Sequence, residues 1–174
     1  MSAAGPYRIR PARAAELARV QGIEVAADAT YFAALGIPDP HMAPLSLPVL
    51  EASHAAGTLW VAADAADEPV GFLAARDLDG ALYLVELNVL PAHQGRGLGR
   101  ALMEAALDHA RWAFYPAAVL TTDRHIPFNA PFYARLGFVE LRREDLPAGL
   151  KAVLDREDAA GLDTSRRVAM AKRL

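Results

Sequence analysis

The chain has 174 residues, of which 53% are hydrophobic and 22% are charged, and its formal net charge is -3. This composition predicts one domain with a sizeable apolar core and excludes a chain that is disordered throughout. The acidic balance and the lack of any Lys/Arg run argue against a nucleic-acid binder, and the absence of cysteine excludes disulfides, cysteine-ligated zinc and a cysteine nucleophile.

The amino-terminal half predicts a helical region followed by strands. Tyr7–Arg10 has the pattern of a short strand, and Ala14–Ala27 has the composition of a helix. Thr30–Leu50 contains four prolines, which predicts a short helix followed by an irregular segment. Thr58–Ala63 and Val70–Arg76 are typical of strands.

A tight hairpin is predicted at Asp79-Gly80, because this pair suits the positive φ angles of a two-residue turn. The turn leads into a strand over Ala81–Leu90. Strand residues alternate between two faces, and the face that begins with Leu82 ends with polar side chains. We therefore expect something other than apolar core to lie against this strand near Glu86.

The carboxy-terminal half alternates helices and strands. Apolar residues from Leu98 to Ala113 recur at helical spacing. The elements predicted after this helix are a strand at Ala117–Thr121, a helix from Asn129 to Leu136, a strand at Phe138–Leu141, a helix at Leu146–Ala160 and a strand at Arg167–Ala171. This order predicts a single-domain mixed α/β layer fold.

Three glycines, Gly95, Gly97 and Gly99, stand at the junction between a predicted strand and a predicted helix. Backbone N–H groups at such a junction converge on an anion, and the positive end of the helix dipole adds to the attraction. Arg96 and Arg100 can add ionic contacts to a phosphate. The spacing fits neither the P-loop nor the dinucleotide fingerprint, so the residues indicate a phosphorylated cofactor of another kind.

Three segments together resemble the GNAT superfamily of N-acetyltransferases. Gln94–Gly99 is similar to the Q/R-x-x-G-x-G/A motif of that family, Val85–Pro91 resembles its acetyl-coenzyme A strand, and Asn129–Phe138 resembles its carboxy-terminal helix-turn segment. The resemblance implies a mostly antiparallel mixed sheet flanked by helices, with an acceptor-side helical region at about residues 11–55 and an acetyl-CoA-binding core at about residues 81–141.

The resemblance also implies which residues hold acetyl-CoA. Main-chain groups of the strand would pair with the pantetheine arm, and loop amides would hold the pyrophosphate. The implied cofactor contacts are Leu87, Asn88, Val89, Gln94, Gly95, Arg96, Gly97, Leu98, Gly99 and Arg100. Many family members carry an asparagine seven residues before the catalytic tyrosine, where this chain has Ile126. Asn129, four residues before Tyr133, either contacts the cofactor or only caps a helix.

Two residues are predicted to move protons. An amine must be neutral to attack a thioester, and a carboxylate near the pocket can accept its proton directly or through water. Glu86 is the candidate base, and the alternative is a solvated or salt-bridged strand glutamate. The resemblance implies that Tyr133 protonates the leaving thiolate, and the alternative is simple core packing with Phe132.

The acceptor is predicted to be a primary amine, with a small molecule preferred over a protein or peptide. Tyr31 and Phe32 would line its site as an aromatic wall or belong to the core, and His125 would line it or lie in a surface loop. A CoA-binding sensor without catalysis is the alternative from another functional class. No HExxH-type spacing supports a metal site.

Residues 1–10 lack the apolar core of a signal peptide, and no segment approaches the ~20 apolar residues of a membrane span. We expect a cytoplasmic protein that contacts no membrane and no nucleic acid, and a homodimer is compatible with the family.

Overall fold

The computed structural model describes residues 7–36 and 44–174. Within these residues the chain forms seven β-strands and five α-helices. The strands are β1 (Arg8–Pro11), β2 (Leu59–Ala63), β3 (Pro69–Leu78), β4 (Ala81–Val89), β5 (Ala117–Asp123), β6 (Val139–Glu140) and β7 (Arg167–Arg173). The helices are α1 (Leu17–Leu35), α2 (Leu47–Ala55), α3 (Leu98–Trp112), α4 (Ala130–Arg135) and α5 (Ala148–Ala159).

The strands form one sheet in the order β1-β2-β3-β4-β5-β7-β6. The β1/β2, β2/β3, β5/β7 and β6/β7 pairs are antiparallel, and β4 and β5 are parallel, with Leu82 opposite Ala118. The predicted mixed, mostly antiparallel sheet flanked by helices is therefore confirmed.

The hairpin between β3 and β4 turns at Asp79 and Gly80, with φ angles of 52° and 78°. Two consecutive positive φ angles are what a two-residue type I′ turn requires, so this prediction is confirmed. The turn is also tied to a helix, because the Gly149 N–H in the first turn of α5 donates to Asp79 Oδ2 at 2.8 Å. The carboxylate thus satisfies a donor that the helix leaves unpaired.

The described residues divide into two compact units, each with its own buried side chains. The amino-terminal unit comprises the described residues up to Arg76 together with Glu86–Asp108, and the carboxy-terminal unit comprises Asp77–Val85 and His109–Leu174. Fully buried side chains of the first unit include Val20, Ile23, Leu50, Val61, Phe72, Leu102 and Met103. One core cluster of the second unit consists of Tyr83, Val119, Leu150, Val153, Leu154 and Ala169.

The helical region at the amino terminus differs from the prediction in two ways. Helix α1 continues past Ala27 to Leu35 and ends at Gly36, whose φ of 66° is left-handed. Helix α2 was not predicted, because the prolines of Thr30–Leu50 indicated an irregular segment. One of them, Pro48, lies in the first turn of α2, where its missing N–H breaks no helical hydrogen bond.

The remaining boundaries shift by a few residues, and β6 shortens to Val139–Glu140. In residues 7–36 and 44–174 we find no helix that is both long and apolar enough to cross a membrane.

Candidate functional site

The three glycines between β4 and α3 have two different roles. Gly95 and Gly97 have φ angles of 73° and 79°, in the left-handed region that side chains disfavour. Among the described residues other than its two chain neighbours, a Cβ at either position would meet no atom within 4 Å, so glycine is needed there for the backbone conformation and not for lack of space. Gly99, by contrast, lies inside the first turn of α3.

This loop presents main-chain donors at the start of α3. The Ala101 N–H donates to the Gly97 carbonyl at 3.0 Å, which makes Gly97 the capping residue. Helix geometry then leaves the N–H groups of Leu98, Gly99 and Arg100 without a carbonyl partner in the helix. Together with the positive end of the helix dipole, they form a place where an anion can bind.

The two loop arginines are exposed. The Arg100 guanidinium pairs with Glu104 one turn along α3 at 2.9 Å, with both side chains more than half exposed. Exposed pairs of this kind contribute little to stability, about 0.2–1 kcal/mol, so Arg100 can exchange this partner for a phosphate at small cost.

The residues that precede the loop are held by specific contacts. Pro91–His93 form one turn of 3-10 helix, and the Gln94 side-chain amide donates to the Val89 carbonyl at 2.9 Å. His93 Nδ1 lies 2.9 Å from the Tyr7 hydroxyl, and the two rings meet edge to face at 5.7 Å between centroids.

The end of β4 carries the predicted base and strand contacts. The Asn88 side-chain amide donates to Glu86 Oε1 at 3.0 Å, as expected for neighbours on one face of the strand. This bond orients the carboxylate. Both residues are half-buried.

Gly71 on β3 allows a close approach to this end of β4. A Cβ there would lie 3.0 Å from Val89 Cγ2 and 3.1 Å from the Asn88 carbonyl oxygen, and the neighbouring Leu90 N–H donates to the Val70 carbonyl at 2.8 Å. The Asn88 carbonyl therefore faces β3. Because main-chain groups alternate in direction along a strand, those of Leu87 and Val89 point away from β3. Sequence reasoning missed Gly71, and its only signal was a glycine inside a strand.

The predicted acid, Tyr133, lies on α4 in the carboxy-terminal unit. Its half-buried ring contacts Phe132 at 5.1 Å and Phe138 at 6.0 Å between centroids, both in edge-to-face geometry. Helix α4 ends at Arg135, and Gly137, whose φ is 88°, follows the capping residue Leu136. Lys172 Nζ donates to the Leu136 carbonyl at 2.5 Å. A cation at this position complements the negative end of the helix.

Asn129 occupies the N-cap position of α4, but its side chain makes no capping hydrogen bond. Its carbonyl accepts the N–H groups of Phe132 and Tyr133 at 2.8 and 3.1 Å. Helix capping by the Asn129 side chain was one of two open interpretations, and the geometry does not favour it. Ile126, at the position of the family's asparagine, is 3% exposed and packs as an apolar residue.

A buried carboxylate organises the turn that leads into α4. Asp123 is 1% exposed and accepts the N–H groups of His125 at 2.7 Å and Ile126 at 3.0 Å, and Arg166 donates Nε to it at 2.8 Å. Burial alone would raise the Asp123 pKa, but the Arg166 side chain and the two N–H groups outweigh it and lower the pKa. The sequence analysis did not select Asp123, although an aspartate whose side chain accepts the N–H group two residues later is typical of an Asx turn.

The residues predicted to line the acceptor site lie in both units. His125 is exposed in the carboxy-terminal unit. Phe32 is 7% exposed and meets the half-buried Tyr31 edge to face at 5.2 Å within the amino-terminal unit. Among the residues that the structure describes, no three or more His, Asp or Glu side chains are grouped so that they could hold a metal ion.

Comparison with known proteins gives consistent results. Residues 55–140 match the family model of the acetyltransferase (GNAT) domain. A GNAT-family acetyltransferase of Staphylococcus aureus Mu50 superposes with a TM-score of 0.74 at 16% identity, covering 97% of this chain and 99% of that one.

Two further similar structures are of enzymes whose names refer to different molecules. N-acetylglutamate synthase of Neisseria gonorrhoeae, solved with coenzyme A and N-acetyl-glutamate, gives a TM-score of 0.69 at 17% identity over 97% of this chain and 35% of that one. The ribosomal-protein-S18-alanine N-acetyltransferase of Escherichia coli gives 0.66 at 19% identity over 96% and 93%. At these identities the likeness shows the fold alone.

Proposed function

Because this chain belongs to the GNAT acetyltransferases, we propose that it transfers the acetyl group of acetyl-CoA to a primary amine of a small molecule. The observation that supports the cofactor most directly is the loop of left-handed glycines before α3. The amine would attack directly in a ternary complex, and the absence of cysteine removes the commonest covalent alternative. We also propose that residues 1–174 act as one acetyltransferase domain.

The loop has the chemistry that a pyrophosphate needs. It is exposed, and in the part of the chain that the structure describes, apart from the chain neighbours, no atom lies within 4 Å of a Cβ built on Gly95 or Gly97. The first N–H groups of α3 point outward from the helix end. We propose that the pyrophosphate is held by the backbone of Gln94, Gly95, Arg96, Gly97, Leu98, Gly99 and Arg100.

The strand residues Leu87, Asn88 and Val89 are the proposed contacts of the pantetheine arm. Leu87 and Val89 would contribute main-chain groups, since the Asn88 carbonyl faces Gly71 on β3. The Val89 carbonyl already accepts the Gln94 side chain, so its N–H is the better candidate for a cofactor bond. Asn129 is kept as a further contact, since its side chain does not cap α4.

Two side chains are proposed to move protons. Acetyl-CoA supplies the acetyl thioester. Glu86, oriented by Asn88, accepts a proton from the amine directly or through water. The Tyr133 hydroxyl donates a proton to the sulfur that leaves. Tyr31, Phe32 and His125 are the proposed contacts of the acceptor.

Incubation with acetyl-CoA and a panel of small amines and peptides tests this function. We expect thiol release with a small amine and a product heavier by one acetyl group. Turnover with peptides alone would assign the chain to protein N-acetylation, as in the S18-alanine enzyme that it resembles in fold. Binding of CoA without turnover across the panel would favour a sensor.

The role of Glu86 has a separate test. The Glu86→Gln variant should lose the acidic limb of the pH–rate profile, because the group that must be deprotonated is gone. An unchanged acidic limb would exclude Glu86 as the base.

A further inference from the structure

The glycine loop, residues 95–97, is held in place at both ends. Gly95 and Gly97 have the widest conformational freedom of any residue type. On one side, Leu98 is 6% exposed and anchors α3. On the other side, the Gln94 side chain is bonded to the Val89 carbonyl at 2.9 Å. Between these anchors lie Gly95, Arg96 and Gly97, two of which have the left-handed backbone that glycine favours.

A second contact on the upstream side of the loop comes from Tyr7, near the amino terminus. The Tyr7 hydroxyl lies 2.9 Å from His93 Nδ1, and the two residues are separated by 86 positions in the chain. The rings also meet at 5.7 Å between centroids, and both side chains are half-buried. Tyr7 directly precedes β1, which pairs with β2 from Arg8 onward. The contact therefore links the loop to the sheet.

Such a link matters for binding because a loop that is ordered in advance loses less conformational entropy when it closes on a ligand. Resting on the acetyl-CoA-binding role proposed above, we propose that Tyr7 is a positioning residue for the cofactor, which acts through His93 to hold the glycine loop ready for the pyrophosphate. Tyr7 itself contacts no part of the cofactor in this proposal.

Calorimetric titration of CoA into the intact chain tests the proposal. Tyr7→Phe keeps the ring contact and removes only the hydroxyl, and we expect its Kd for CoA to rise about two- to tenfold, the range for one lost hydrogen bond. His93→Phe should have a similar effect. The double variant should be no weaker than either single one, because both changes remove the same bond. Tyr115→Phe, another half-buried tyrosine, is the matched control and should leave the Kd unchanged.

Pantetheine, which lacks the pyrophosphate, separates positioning from general destabilisation. The Kd of pantetheine should be the same for wild type and Tyr7→Phe. An equal loss of affinity for pantetheine and CoA would overturn the proposal, as would an unchanged Kd for CoA in Tyr7→Phe. If the wild type itself bound no CoA, the proposed function would fail, which is a result distinct from either.

Discussion

A buried carboxylate on α1 gives a pH dependence that can be isolated. Glu24 is 5% exposed, and its two oxygens accept the Leu45 N–H at 3.0 and 2.9 Å. The Gln21 side-chain amide donates to the Leu45 carbonyl at 2.7 Å, so side chains of α1 hydrogen-bond both main-chain groups of Leu45. Burial raises the Glu24 pKa from its ordinary 4.5 to about 7; the Leu45 N–H opposes this rise and the charge of Asp28 adds to it.

The direction in which pH changes the free energy of unfolding depends on whether the folded or the unfolded state binds the Glu24 proton more tightly. Between pH 4.5 and about 7 the folded state holds a proton on Glu24 that the unfolded state releases. The contribution of Glu24 to the free energy of unfolding therefore decreases as pH rises through this window and is constant above it. The shift corresponds to at most about 3 kcal/mol, and partial access of solvent to the carboxylate reduces this figure.

The Glu24→Gln variant removes the titration and keeps a similar shape. Urea denaturation at pH 5, 6, 7 and 8 should show the variant gaining stability relative to wild type as pH rises, by up to about 3 kcal/mol. Glu51→Gln, on the exposed surface of α2, is the control and should follow the wild-type curve. Parallel curves for wild type and Glu24→Gln would refute the assignment of a raised pKa to Glu24.

Three further predictions concern the loop, the acid and the turn before α4. Gly97→Ala and Gly36→Ala impose the same left-handed backbone strain, about 1 kcal/mol each. Only Gly97→Ala should also weaken CoA binding in calorimetry. Equal CoA affinity in the two variants would contradict the assignment of the loop to the cofactor. Tyr133→Phe should lower kcat about 100-fold without changing the Kd for CoA, with Tyr115→Phe as the control, and unchanged turnover would remove Tyr133 as the acid. Asp123→Asn should lower the free energy of unfolding at neutral pH by about 2–4 kcal/mol. Because the Asp123 pKa is lowered in the folded state, this difference should shrink as pH falls through that pKa, and a difference independent of pH would contradict the ion pair with Arg166.

Features encoded by neighbouring residues could be predicted from the sequence. The Asp79-Gly80 turn follows from the φ preferences of two residues, and α3 follows from apolar residues at helical spacing. The glycine loop could be selected for the same reason, because its proposed role in binding the pyrophosphate depends on main-chain groups within one short segment.

Features that depend on tertiary contacts could not be predicted. Helix α2 buries only Leu50 and Ser53, so it has almost no apolar stripe for a pattern to reveal. The Tyr7–His93 contact and the close approach at Gly71 join segments that are distant in the chain. Nothing local distinguishes such residues from others of their type.

The Asp79 carboxylate has a consequence for engineering the chain. Two-residue hairpin tips are normally chosen for inserting tags or reporter domains, since exposed turns tolerate added residues. Here the tip also closes the start of α5, and a Cβ on Gly149 would lie 2.5 Å from Asp79 Oδ2. An insertion between Asp79 and Gly80 would thus loosen a helix that begins about 70 residues later in the chain. Because this hairpin is hydrogen-bonded to the start of α5, it is a poor site for a fusion.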